Sequence, residues 1–171
     1  CAGFIAWAKA AYPAERYMVV IWNHGSGWKS LGKPLAPVPA DAAKGISYDE
    51  QTGNHITAIE MAAALARSGG ADVFASDACL MQELSADYEL RKYTPVIVGS
   101  EDSEPNEGQD YTRFLGALAA APASQPEDVG RIYVKAYRDS YAGKYDWTTF
   151  SAIRTSSFDG LLARVNAFAD A

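Results

Sequence analysis

The sequence predicts an α/β fold with a mainly parallel sheet, and three observations predict it. Short apolar, β-prone runs recur at residues 17–22, 71–76 and 95–99, the length of buried strands. Segments of helical periodicity separate them, the alternation from which parallel sheets are built. The first chemically capable residue past the first run is His24, and past the second it is Cys79. Parallel neighbouring strands would bring both to one edge, where open α/β sheets place their ligands.

The elements follow in order. Residues 4–12 read as a helix running straight into the first strand, at residues 17–22. Helices in parallel units normally follow a strand, so an earlier strand is expected to be missing from this chain. Residues 25–54 are irregular and hold Pro34, Pro37 and Pro39; uninterrupted loops of this length are usually functional or disordered. A helix begins at Thr57, whose hydroxyl forms a capping box with Glu60, and runs through Met61 and Leu65 to Ser68 before Gly69-Gly70 ends it. The strand to Ser76 completes a right-handed crossover. Residues 80–93 read as a helix with Leu80, Leu84, Tyr88 and Arg91 on one face. The strand at 95–99 opens into an acidic loop at 100–108. Helices follow at 111–120 and 126–141, the second with Pro126 in its first turn and Glu127 and Asp128 at the positive dipole end. A fourth strand at 148–153 leads to an amphipathic helix from about Ser157.

At 171 residues, 49% hydrophobic and 21% charged, the chain is one domain large enough to bury a core. A net charge of −6 gives no nucleic-acid footprint, which needs clustered Lys and Arg. No apolar run approaches the roughly 18 residues of a membrane span. Cys1-Ala2-Gly3-Phe4 lacks the basic and apolar regions of a signal peptide. Two cysteines make no disulfide framework, and a Cys1–Cys79 pair is not expected. Two histidines and two cysteines without close spacing make no zinc site.

A free thiol titrates near 8.5 and is only a few per cent ionised at neutral pH. Cys79 is expected at the start of the helix at 80–93, where unpaired N–H groups favour a thiolate. A neighbouring imidazole adds to this and carries the proton to a leaving amine. The N–H groups of Gly25 and Cys79 are candidates for an oxyanion hole, Gly25 because it lets backbone approach a substrate carbonyl. A single cysteine after a buried strand is more often an inert small hydrophobe. The matched positions of Cys79 and His24 favour a nucleophile and its base. Trp22 is expected in the core, Trp28 against either the substrate cleft or the core, and His55 at the surface.

The run Tyr17-Met18-Val19-Val20-Ile21-Trp22-Asn23-His24-Gly25-Ser26-Gly27-Trp28, with Asp77-Ala78-Cys79-Leu80-Met81, resembles the clostripain family of cysteine peptidases. The 55 residues from His24 to Cys79 fit the caspase-like clan. The likeness extends back to Phe4-Ile5-Ala6-Trp7 and on through Ile97-Val98-Gly99-Ser100-Glu101, covering most of residues 4–115. It implies a caspase-like three-layer sandwich, a mainly parallel sheet flanked by helices, in one peptidase domain (residues 1–171) truncated at both ends. It also implies an endopeptidase of a bacterial exterior or cell envelope that cleaves after Arg or Lys.

By position, the resemblance makes Cys79 the nucleophile, His24 the general acid/base, and Asp77 the acid that pairs with a basic substrate side chain. A cap on the following helix is the alternative for Asp77. A second acid at the pocket rim is expected from Glu101 or Asp102, with Glu104 and Glu107 at the solvated surface. Some family members process themselves, making Lys29, Lys33 and Lys44 candidate cleavage points. No cofactor is required, although some members depend on calcium; Asp41, Asp49 and Glu50 are candidate ligands in no recognised loop spacing. The expected partners are peptides and proteins with basic residues. The alternative function is a catalytically inactive caspase-like binding or structural domain.

Overall fold

A computed structural model of the chain describes residues 1–27, 45–49 and 51–171. Four strands form one sheet among these residues: β1 (Met18–Trp22), β2 (Val73–Asp77), β3 (Val96–Gly99) and β4 (Ser151–Arg154), in that spatial order. The first three run parallel and β4 runs antiparallel to β3. Helices cover both faces, giving the expected three layers.

On one face lie α1 (Ala2–Ala11), α2 (Ala58–Arg67) and α3 (Leu84–Leu90), packed against Phe74 and Ile97. On the other lie α4 (Tyr111–Ala119) and α5 (Pro126–Tyr141), packed against Val73, Ala75, Val96 and Val98 through Phe114 and Tyr133. The alternation along β2 divides these layers, because successive side chains of a strand point to opposite faces. After a 3₁₀ turn at Thr155–Ser157, α6 (Phe158–Ala169) closes the chain.

Local signals set several boundaries. Thr57 and Glu60 form the capping box, the Thr57 hydroxyl accepting from Glu60 N at 3.2 Å and Glu60 accepting from Thr57 N at 3.0 Å. Pro126 opens α5.

Three expectations are corrected. The helix expected from residue 80 begins only at Leu84. Leu80 adopts φ +61°, Leu80 N donates to Asp102 O and Gln82 N to Ser100 O, both at 3.0 Å, so this backbone bonds across to the loop after β3. The face that α3 buries carries Ala86, Asp87 and Leu90, whereas Leu84 is 43% exposed. Trp22, expected in the core, is 68% exposed, because β1 is the edge strand of the sheet among the described residues. Strand β4 starts three residues later than expected; Thr149 instead bonds the loop, its Oγ1 accepting from Glu101 N at 3.2 Å.

Candidate active site

Register brings the site together. Trp22 pairs with Asp77 at the carboxyl ends of β1 and β2, and Asn23 N continues the pairing to Asp77 O at 3.3 Å. His24 and Cys79 each stand two residues beyond that pair, at one edge of the sheet. Asn23 has φ 140°, a conformation rare outside glycine, and its Oδ1 accepts from His24 N at 2.6 Å. This turns the chain out of the sheet and leaves His24 exposed. His24 O accepts from Ser47 N at 3.0 Å, and Gly25 bridges Ile46, which in turn bridges Ile56.

Gly25 is required by close approach. A Cβ there would lie 2.4 Å from Cys79 O and 2.8 Å from Met81 Cγ. The two strand-end loops therefore touch backbone to backbone. The N–H groups of Gly25 and Cys79 make no backbone hydrogen bond among the described residues.

Cys79 is half-buried and free, as is exposed Cys1. It lies five residues ahead of α3, so the expected support from a helix N-terminus is absent. Its sulfur instead accepts from the backbone N–H of Glu104 at 3.2 Å. Loop 100–110 thus reaches over the thiol.

Asp77 is 4% exposed and points to the α4–α5 side. Tyr111 Oη donates to its Oδ2 at 2.6 Å. Burial pushes the Asp77 carboxyl above the usual range, while the Tyr111 bond and Gln109 N–H pull it down. Asp77 does not cap α3, whose N-cap residue is Glu83.

The acid that faces Asp77 is Glu104, a residue expected at the surface. Gln109 Nε2 donates to Glu104 Oε2 at 2.8 Å, and among the described residues no side-chain or backbone partner is found for its buried Oε1. Burial, then the Asp77 charge, pushes the Glu104 carboxyl up to about 8. The signal in the sequence is Pro105, which is buried and anchors the loop next to Glu104. Glu101 and Asp102 are exposed: Glu101 holds the Ser151 hydroxyl, and Asp102 contributes its carbonyl to Leu80 N. Glu107 is exposed and accepts from Tyr145 Oη at 3.1 Å.

Trp28, Lys29, Lys33, Lys44, Asp41 and Glu50 lie outside the described residues. Asp49 has both carboxylate oxygens engaged by its own turn, with Gln51 N and the Thr52 hydroxyl. No group of three or more His, Cys, Asp or Glu among the described residues is arranged to hold a metal ion. His55, expected at the surface, is half-buried and stacks on Tyr48 with ring centroids 4.9 Å apart. No helix among the described residues is long and apolar enough to cross a membrane.

The chain is similar to a secreted C11 cysteine protease from Bacteroides thetaiotaomicron, solved with an irreversible peptide inhibitor. Identity is 27%, the TM-score 0.70, and the match covers 95% of this chain and 46% of that one. An inactive zymogen C11 protease from Parabacteroides distasonis matches at 24% identity and TM-score 0.69, over 94% and 40% of the two chains. A cysteine protease from B. fragilis shares the fold at 20% identity and TM-score 0.57, over 67% and 50%. The chain thus spans about half or less of each of these proteins. No curated protein matches it. The clostripain family model matches residues 2–171, essentially the whole length, with both strand-end loops inside the match, and the chain belongs to the clostripain family.

Proposed function

We propose that the chain carries the catalytic apparatus of a cysteine endopeptidase that hydrolyses peptide bonds after arginine or lysine. The observation that carries this reading is the Trp22–Asp77 register, with His24 and Cys79 at equal offsets beyond it. The relative solved with an irreversible peptide inhibitor supports a peptide as the ligand class.

The sulfur of Cys79 attacks the scissile carbonyl, and the oxygen that becomes negative is met by the N–H groups of Gly25 and Cys79. His24 takes the thiol proton and gives it to the departing amine, leaving a thioester on Cys79. Water then attacks the thioester with His24 as base, releasing the acid product and restoring the thiol. The basic side chain before the cleaved bond enters the side of the sheet where Asp77 and Glu104 lie. A guanidinium or ammonium there meets a carboxylate that a neutral side chain would leave without a partner. Glu104 joins the acid pair to the nucleophile, because its backbone N–H holds the sulfur while its side chain faces Asp77.

The test is dye release from matched peptides ending in Arg, Lys or Asp, with the unaltered chain and Cys79→Ala. The expected result is turnover of the Arg and Lys peptides only, reduced about 10⁴-fold or more by Cys79→Ala. Equal turnover by Cys79→Ala removes the nucleophile assignment. Rapid cleavage of the Asp peptide removes the acidic-pocket assignment, and no turnover of any peptide favours an inactive binding domain.

A further inference from the structure

Asp77 is a buried carboxyl that is held without being neutralised. It closes β2, every residue of which is buried. Among the described residues, the titratable groups acting on it are Glu104 from the loop and Tyr111, Tyr133, Tyr137 and Tyr141 from α4 and α5, none of them basic. No ion pair among the described residues includes it. A carboxylate without a counter-charge is costly to bury, and neutral donors offset part of that cost. Tyr111 Oη, 2.6 Å from Oδ2, is the side chain that does so, and the backbone N–H of Gln109 is the second donor. Burial raises the Asp77 carboxyl, and these two bonds oppose it by favouring the ionised form.

The backbone fixes where this hydroxyl stands. Tyr111 is the first residue of α4, whose N-cap residue Asp110 accepts from Arg113 N at 2.9 Å, and Tyr111 N donates to Gln109 O at 3.0 Å. Gly108 backs the other oxygen: it has φ +66°, and a Cβ there would lie 3.4 Å from Asp77 Oδ1. Tyr141 Oη pins Gly108 by donating to its carbonyl oxygen. The carboxylate is thus clasped between a phenol on Oδ2 and a tethered backbone beside Oδ1. An arginine or lysine of the chain in the place of Tyr111 would orient Asp77 equally well, but it would cancel the charge that a basic substrate needs. A phenol orients it and leaves the charge in place. Tyr111 keeps its own proton, because burial and then the bond to Asp77 push its hydroxyl well above the usual phenol range.

We infer that Tyr111 is a positioning residue for substrate specificity, holding the Asp77 carboxylate, its charge uncancelled, toward the basic side chain before the cleaved bond. This role rests on the proposed function, in which Asp77 meets that side chain. Tyr111 acts through Asp77 and takes no part in the bond-breaking steps at Cys79.

The test is a double-mutant cycle in the full chain: unaltered, Tyr111→Phe, Asp77→Asn and the two together, each assayed by dye release from the Arg and Lys peptides. Tyr111→Phe should lower kcat/KM about tenfold, the worth of one hydrogen bond to a charged group, with the loss in KM and kcat kept. In the Asp77→Asn background the same change should matter by no more than about twofold, because the carboxylate it serves is gone. Equal losses in both backgrounds, a loss in kcat alone, or an unchanged KM in Tyr111→Phe overturns the inference. Should Tyr111→Phe prove less stable, the cycle still decides, because a smaller folded fraction lowers both backgrounds alike. Failure of the proposed function looks different. The unaltered chain then turns over neither peptide, or Asp77→Asn leaves KM for both unchanged, and the role of Tyr111 falls with it.

Discussion

Asp77 and Glu104 hold opposite positions in what a sequence discloses. Asp77, like His24 and Cys79, was legible because strand register alone determines where it goes. Glu104 was not, because its direction depends on how loop 100–110 folds back over Cys79, which no periodicity encodes. Two outcomes follow at this scale. Asp77→Asn should lower kcat/KM for Arg and Lys peptides roughly 10- to 100-fold, the cost of removing one charged hydrogen-bond partner, with thermal stability kept. Glu104 titrates near 8, so it is neutral at pH 7 and gains charge as the pH rises through that value. KM for a basic peptide should therefore fall between pH 6.5 and 8.5, and Glu104→Gln should flatten this limb. A KM that rises over the same range would contradict the pairing of Glu104 with the substrate.

At the scale of elements, the sequence was most readable where a boundary is local chemistry. Thr57 with Glu60 marked the start of α2, and Pro126 marked that of α5, because caps act within one turn. The start of α3, at Leu84, leaves no such local mark. Residues 80–82 have acceptable helical character, but their N–H groups find partners at Asp102 and Ser100, a tertiary outcome that overrides propensity. The junction of the two strand-end loops is a comparable tertiary feature. It predicts that Gly25→Ala costs about 1–3 kcal/mol by overpacking against Cys79 O and Met81. Urea denaturation measures that cost, and peptide hydrolysis should be lost with it as the loops are forced apart. An active Gly25→Ala variant of unchanged stability would contradict the close approach.

For the whole molecule, the layers were readable from alternation, and the antiparallel course of β4 was not, because direction in a sheet leaves no mark on a short strand. Buried carboxyls also link the fold to pH. Asp87 and Glu104 each hold a proton to about 8, and Asp77 is raised too, whereas unfolded carboxyls release theirs near 4. Over that window the folded chain binds more protons than the unfolded one, so stability is greatest at the acid end and is lost as pH rises through about 8. The lowered carboxyls Asp49, Glu60, Asp110 and Asp139 act below this window. The urea midpoint should thus fall from pH 5 to pH 8, and Asp87→Asn should remove part of the slope; a flat or rising midpoint would contradict these burials. In the proposed mechanism His24 activates Cys79 across the β1–β2 edge. The most direct measurement is the rate of iodoacetamide labelling of each cysteine at neutral pH, resolved by peptide mass spectrometry, with exposed Cys1 as the internal standard. Half-buried Cys79 should label faster than Cys1, and His24→Ala should abolish the advantage. A Cys79 no faster than Cys1, or indifferent to His24→Ala, would contradict this activation.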